Sequence, residues 1–297
     1  MTLPARLTLN SALAAIDPDR PVLIAGPTAC GKSALALEIA AKQGGMIINA
    51  DASQVYDCWR IVTARPSASE EACVPHSLYG HQSARATYST GHWLRDVAPL
   101  LKQKTRPIIV GGTGLYFSAL TRGLADIPLT PPDVRAAGDL MARDDMIDAL
   151  DPETRDLIDT RNRARVQRAW EVLKATGRGL AAWQKDTGAP LLPLEATQGI
   201  VFDAPKDWLN ARIEERFERM IDAGALDEAR SVLPDFDANL PAHRAIGAPE
   251  LIAYLRGEIT LEQARTTAVI ATRRFAKRQR TWMRSKMQQW QWLDPFG

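Results

Sequence analysis

Short apolar runs, set apart by small and polar residues, alternate with segments of helical period along the first part of the chain. Pro21 to Ala25, Gly45 to Ala50 and Arg106 to Val110 each offer several consecutive apolar positions, the signature of strands covered on both faces. The first passes through Gly26-Pro27-Thr28-Ala29-Cys30-Gly31-Lys32-Ser33 into the helical pattern Ala34 to Ala41. The second stops at Asp51, and the third runs into Gly111-Gly112-Thr113-Gly114-Leu115-Tyr116 and another helix. Strands alternating with helices predict a parallel α/β sheet. After Leu120 the pattern changes. Residues Asp126 to Pro132 are rich in proline, helical periods dominate from Val134 to about Gln184, and Ile200-Val201-Phe202 is the next core-strand run. The expected organisation is an α/β core over 1–120 and 198–297, interrupted by a helical insertion domain over 121–197.

The spacing G-x-x-x-x-G-K-[ST] at Gly26 to Ser33 makes the core P-loop NTPase-like. Two glycines let the backbone curl so that successive N–H groups and the following helix N-terminus converge on phosphate oxygens. Lys32 adds a point charge and Ser33 can hold Mg²⁺. In open α/β sheets ligands bind beyond the carboxyl ends of the strands, which would bring Asp51 and Thr113 to the edge that carries the loop. Asp51 has a plainer reading as a cap or turn former, because Asp is favoured there in any case.

Composition narrows the class. At 297 residues, 45% hydrophobic and 24% charged, the chain can bury an α/β core and a smaller second domain. No apolar segment approaches a membrane span, and MTLPARLTLNSALAAI lacks the apolar stretch of a secretory leader, so the expectation is a cytoplasmic protein. Cys30, Cys58 and Cys73 are too scattered for a disulfide framework, no Cys or His pair has zinc spacing, and no nucleophile elbow accompanies the histidines. The net charge of +2 hides a stretch from Ala271 to Leu293 without an acidic residue, where Arg273, Arg274, Lys277, Arg278, Arg280, Arg284 and Lys286 fall in one predicted helix with Phe275, Trp282, Trp290 and Trp292 interleaved. Such a stripe attracts polyanions, unless it is only a solvated face. In the insertion, Arg161, Arg165 and Arg168 share a face by helical spacing, again open to the reading of a solvated surface. Arg212 and Arg216 lie on a predicted helix Leu209 to Ile221, among Glu214, Glu215 and Glu218 that can pair with them.

The chain resembles the tRNA dimethylallyltransferases (tRNA isopentenyltransferases) in an ordered set of segments. These are GPTACGKS, Asn49-Ala50-Asp51-Ala52-Ser53-Gln54-Val55-Tyr56, Thr63-Ala64-Arg65-Pro66, PIIVGGTGLY from Pro107, RVQRAWEV from Arg165, and Ala271 to Arg284, which is similar to T-R-x-x-A-K-R-Q-x-T-W-x-R. The resemblance implies that the loop Gly26 to Ser33 holds the diphosphate of dimethylallyl diphosphate, with Arg212 as a second cation and Mg²⁺ on Ser33. It implies transfer of the five-carbon group to the exocyclic amine of the adenosine 3′ of the anticodon. Asp51 would accept the amine proton with Thr113 as its partner. Ala52, Ser53 and Gln54 would meet the flipped-out base, while Arg135, Arg165, Val166, Gln167, Arg168 and Ala169 in the insertion would grip the anticodon stem-loop of a tRNA bound by a monomer.

The sequence departs from the family pattern at Ala52 (usually Ser), Val62 (usually Gly), Pro75-His76-Ser77-Leu78, which lacks a second His, and Gly247-Ala248-Pro249 (usually Gly-Tyr followed by a base). A P-loop kinase for a small molecule or nucleotide accounts equally well for the N-terminal half, with Asp51 receiving a hydroxyl proton. It leaves the insertion arginines and the acid-free C-terminal stretch without a role.

Overall fold

The structure is a computed structural model that describes residues 9–296. Residues 1–8, the first half of the stretch MTLPARLTLNSALAAI, lie outside them. The strands are β1 (Val22–Ala25), β2 (Met46–Asn49), β3 (His76–Ser77), β4 (Pro107–Gly111), β5 (Gln198–Phe202) and β6 (Gln291–Leu293). They form one parallel sheet in the order β3-β2-β4-β1-β5-β6. Strand β1 sits inside it, paired to β4 through Val22 with Ile108 and to β5 through Ala25 with Val201.

Alternation along β1 sends its side chains to two cores. Val22 and Ile24 pack with Leu35 and Ile39 of the helix Lys32–Gln43 and with Leu209 on one face. Leu23 and Ala25 pack with Trp93, Val97, Phe117 and Met283 on the other. Complete burial on both sides explains why the central strands read as unbroken apolar runs. A third cluster gathers Trp59, Ile213, Phe217, Leu251, Ile252 and Val269, so that Lys206–Asp222, Ala248–Leu255 and Leu261–Lys286 share a core.

The C-terminal expectation needs correction in two respects. The last helix runs over Leu261–Lys286, and the tryptophan-rich tail beyond it is not helical but becomes β6, an edge strand on β5. The basic stripe is also partly neutralised: Arg273 pairs with Glu214 and Arg284 with Asp203 at 3.0 Å, while Arg265, earlier on the same helix, pairs with Glu218 at 2.8 Å. Carboxylates supplied by other elements are invisible to a local count of charge.

The chain divides into two compact units, Met1–Thr121 with Leu192–Gly297, and Arg122–Leu191. The second is wholly helical among its described elements, with Met146, Leu150, Val166, Ala169 and Trp170 as its core. Its main helix, Arg163–Thr176, starts where the Asn162 side chain accepts the Arg165 N–H and stops at Gly177 with φ of 67°. Arg161 precedes the cap, and so is not on the helix face where spacing placed it.

Candidate active site

Two loops meet at the carboxyl edge of the sheet. The phosphate loop follows β1 and opens the helix Lys32–Gln43. Within it Ala29 has φ of 64° and Gly31 φ of 97°, so the chain turns left-handed twice, the first time at the expense of a Cβ contact. The Gly26 N–H bonds the Gly111 carbonyl and the Cys30 N–H that of Pro27. The N–H groups of Ala29 and Gly31 donate to no described residue, which leaves them for a ligand. Cys30 is buried behind the loop, and burial raises its thiol pKa against the opposing pull of Lys32 and Arg212.

Asp51 is placed by its own neighbours. The fully buried Asn49 accepts the Asp51 N–H at 2.8 Å through its side-chain oxygen and donates its amide to the carbonyls of Asp51 (2.9 Å) and Leu78 (3.0 Å). The Asn49 carbonyl in turn accepts the indole N–H of buried Trp93 at 2.7 Å, and Trp93 stacks on Tyr116. Of the Asp51 carboxylate, Oδ1 accepts the backbone N–H and hydroxyl of Ser53 at 3.0 and 2.7 Å. Oδ2 has no hydrogen-bond partner among the described residues. Thr113 stands beside it: its N–H bonds the Ala50 carbonyl at 3.1 Å, and its Oγ1 accepts the Ala52 N–H at 2.9 Å, leaving the hydroxyl proton to donate elsewhere.

Both groups line a cavity of about 710 Å³. Thr28 and Lys32 of the phosphate loop, Ala52, Ser53, Gln54 and Gly112 to Leu115 contribute one part of its wall, and Ile213, Phe217, Met220, Phe275 and Trp282 an apolar part. Arg216, Arg244 and Arg278 complete it. A polar end with a cationic loop and an apolar wall is the lining an amphiphilic phosphate ester requires.

Arg212 and Arg216, four residues apart on one helix, are placed differently. Arg212 does not line the cavity; its Nε donates to the Ala29 carbonyl at 2.9 Å and its guanidinium lies 4.7 Å over the Trp208 ring, so it braces the left-handed turn from outside. Arg216, one helical turn further on, is the arginine that faces Asp51. Burial lowers its pKa and the Asp51 charge opposes that shift, with the guanidinium remaining protonated at any working pH. The sequence offered both arginines on one face, and only their depth separates them.

The Gln54 amide nitrogen is spent on the carbonyls of Thr63 and Ala64, at 2.8 and 2.9 Å, so only the amide oxygen remains for a ligand. The loop that supplies those carbonyls is itself held by Glu228, whose carboxylate accepts the N–H groups of Arg60, Ile61 and Val62. Val62 is therefore buried against Gly247 and the third core cluster.

The candidate metal residue Ser33 is the second residue of the helix Lys32–Gln43; its hydroxyl bonds no described residue, and it lies outside the lining of the cavity that holds Asp51. No group of three or more His, Cys, Asp or Glu side chains converges among the described residues. That donor set does not make a cage. It fits a Mg²⁺ completed by substrate phosphate oxygens and water, the usual arrangement for this ion.

In the insertion unit the named residues divide. Val166 and Ala169 are fully buried, with their side chains in the unit's core. Arg165 is exposed. Arg135 pairs with buried Glu171 at 3.1 Å, Gln167 bonds Asp139 and Glu171, and Arg168 donates to Thr130 at 2.6 Å.

Local pattern marks Arg216 only as one of a pair with Arg212, whereas Gln279 and Trp282 take their places through contacts that it does not mark. The glycines Gly112 and Gly114 mark their surroundings: a Cβ on Gly112 would run into the Gln279 amide, and one on Gly114 into the Trp282 ring. The K-R-Q-x-T-W segment thus packs directly on the G-G-T-G turn.

Among the described residues no helix is long and apolar enough to cross a membrane. The sequence model of the IPP transferase family matches residues 54–286. A tRNA dimethylallyltransferase of Roseobacter denitrificans is 70% identical over 273 residues, covering 92% of this chain and 98% of that protein. The crystal structure of the full-length tRNA isopentenylpyrophosphate transferase of Bacillus halodurans has a TM-score of 0.65 at 31% identity, covering 93% of this chain and 90% of that one. A eukaryotic dimethylallyltransferase acting on tRNA shares the fold, with a TM-score of 0.78 at 23% identity over 92% of this chain and 73% of its own. With the loop, the Asp51 and Thr113 pair and the cavity in place, these matches establish that the chain belongs to the tRNA dimethylallyltransferase (IPP transferase) family.

Proposed function

We propose that this cavity is where the chain carries out its family's reaction, transfer of a dimethylallyl group from dimethylallyl diphosphate to the exocyclic amine of the adenosine 3′ of the anticodon in tRNA. One observation supports the reading above others: the Asp51 carboxylate, whose Oδ2 bonds none of the described residues, and the Thr113 hydroxyl lie in the same cavity as Lys32, Thr28 and Arg216.

The chemistry follows from charge. The carbon–oxygen bond of the allylic donor breaks, diphosphate leaves with the electron pair, and positive character spreads over the allyl group. Lys32, Arg216 and the open N–H groups of the loop meet the growing negative charge of the leaving group without reorganising. An adenine amine is a weak nucleophile because its lone pair is delocalised into the ring. As that pair closes on the allylic carbon, one amine proton passes to Asp51 Oδ2, while the Thr113 hydroxyl orients the base. Ser33, with the donor's phosphate oxygens, would hold Mg²⁺, which supplies further neutralisation of the leaving group. The apolar wall of Ile213, Phe217 and Met220 suits the hydrocarbon and keeps water from capturing the cation.

The target base must leave its stack to reach Asp51, which costs a few kcal/mol and is easiest in a single-stranded loop. Arg165, Arg135, Gln167 and Arg168 form the surface of the insertion that we assign to the anticodon stem-loop. The test uses labelled dimethylallyl diphosphate, Mg²⁺ and tRNA lacking the modification. Label enters tRNA with the wild-type chain, and Asp51→Ala loses at least about 10²-fold in turnover while tRNA binding persists. Turnover of ATP without label in tRNA, or near-normal transfer by Asp51→Ala, overturns the reading.

A further inference from the structure

The buried side chain of Gln279 touches both halves of the site. Its Oε1 accepts the Thr28 N–H of the phosphate loop at 2.9 Å, and its Nε2 donates to the Gly112 carbonyl at 3.0 Å. Only one amide orientation satisfies both bonds, because the flipped one sets N–H against N–H and oxygen against oxygen. Gly112 precedes Thr113, whose N–H is tied to Ala50, the residue before Asp51. A single amide therefore connects the loop that takes the leaving group to the pair that takes the proton. The helix bearing it, Leu261–Lys286, is anchored by Ala276 and Met283 in two cores, so the amide has a rigid mount.

We propose that Gln279 is a positioning residue that holds the phosphate loop and the Asp51–Thr113 pair in register, so that departure of diphosphate and capture of the amine proton occur at a fixed separation. The Thr28 N–H is used internally for this purpose, and phosphate contacts are left to the N–H groups further along the loop. A displacement of about 1 Å between catalytic groups can cost about 10²-fold in rate, which makes the bridge matter for turnover and not for tRNA affinity. The proposal rests on the prenyl-transfer reading of the cavity.

The test compares Gln279→Met and Gln279→Glu with wild type in single-turnover transfer of labelled dimethylallyl groups to tRNA between pH 6 and 8, with tRNA affinity measured separately. Gln279→Met has similar volume and neither hydrogen bond. It is expected to lose about 10- to 100-fold in rate at all pH values with tRNA affinity kept. Gln279→Glu tells a positioning role from a merely structural one. Protonated, its carbonyl accepts from Thr28 and its O–H donates to Gly112; ionised, it faces the Gly112 carbonyl with a negative charge. Its rate relative to wild type should therefore rise several-fold as the pH falls from 8 to 6, a recovery that also demonstrates a folded protein if the Met variant proves unstable. A Gln279→Glu profile parallel to wild type, or a Met variant within threefold of wild type, overturns the proposal. Absence of transfer by the wild-type chain itself would instead refute the reading of the cavity.

Discussion

Replacing each of the two neighbouring arginines by Gln separates a residue that meets the leaving group from one that supports the loop. Arg216 lines the cavity and faces Asp51. A cation about 4 Å from a developing phosphate charge is worth about 4 kcal/mol at an effective dielectric of about 20. Water and the remaining Lys32 recover part of this, leaving a loss of roughly 3 kcal/mol, or about two powers of ten in rate. Arg212 instead contributes one hydrogen bond to the Ala29 carbonyl and a contact over Trp208. Together these are worth about 2 kcal/mol, and they act on the stability of a left-handed turn. Arg212→Gln should thus lower the melting temperature by several degrees and cost no more than about tenfold in rate. Arg216→Gln should melt nearly as wild type. Single-turnover transfer at saturating tRNA, paired with thermal denaturation, reads both quantities. Equal rate losses for the two variants, or a larger loss for Arg212→Gln, would refute the division of labour.

Glu228→Ala removes the acceptor for the backbone N–H groups of Arg60, Ile61 and Val62. At about 1 kcal/mol net for each, it should destabilise by about 3 kcal/mol, read from the urea midpoint. Thiol labelling with iodoacetamide at pH 8 should modify exposed Cys73 first, counted by mass spectrometry. Partial burial, then the Asp57 charge, pushes the Cys58 pKa up to about 11, so its thiolate is scarce until the pH approaches that value, and buried Cys30 is shielded as well. Charge reversal of Arg165 and Arg168 should weaken tRNA binding and shrink the slope of log affinity against log salt by about one to two units, measured by filter binding. An unchanged slope would mark this face as solvated only.

The central sheet was legible in the sequence for a physical reason. Strands β1, β2, β4 and β5 are covered on both faces, so they consist of apolar runs with no helical period. The edges escape such reading. Strand β3 has two residues, and Gln291-Trp292-Leu293 follows a long helix whose aromatic spacing continues smoothly into it. Pairing to β5, a contact across just over ninety residues of chain, makes β6 a strand, and nothing local encodes it. Charge behaves the same way. The acid-free stretch from Ala271 reads as unpaired because Glu214 and Asp203, which meet Arg273 and Arg284, lie on the returning segment that packs against it.

The site divides along a related line. Asp51, Thr113 and Lys32 could be placed from sequence because a parallel sheet sends every strand's carboxyl end to one edge, so membership of that edge follows from strand order alone. Depth does not. Arg212 and Arg216 stand four residues apart on one helix and carry equal weight in any pattern, yet one turn of helix decides which reaches the cavity. Two distant motifs become one contact only in the fold: Gly112 is small because Gln279 lies against it, and Gly114 because Trp282 does, across 167 residues of chain in the first case. A substitution that enlarges Gly112 must therefore displace the Gln279 amide and, through it, the Thr28 N–H. A G112A variant should then show the same separation of lost turnover from retained tRNA affinity as Gln279→Met. The double variant should lose much less than the product of the two single losses, because both act on the same bridge.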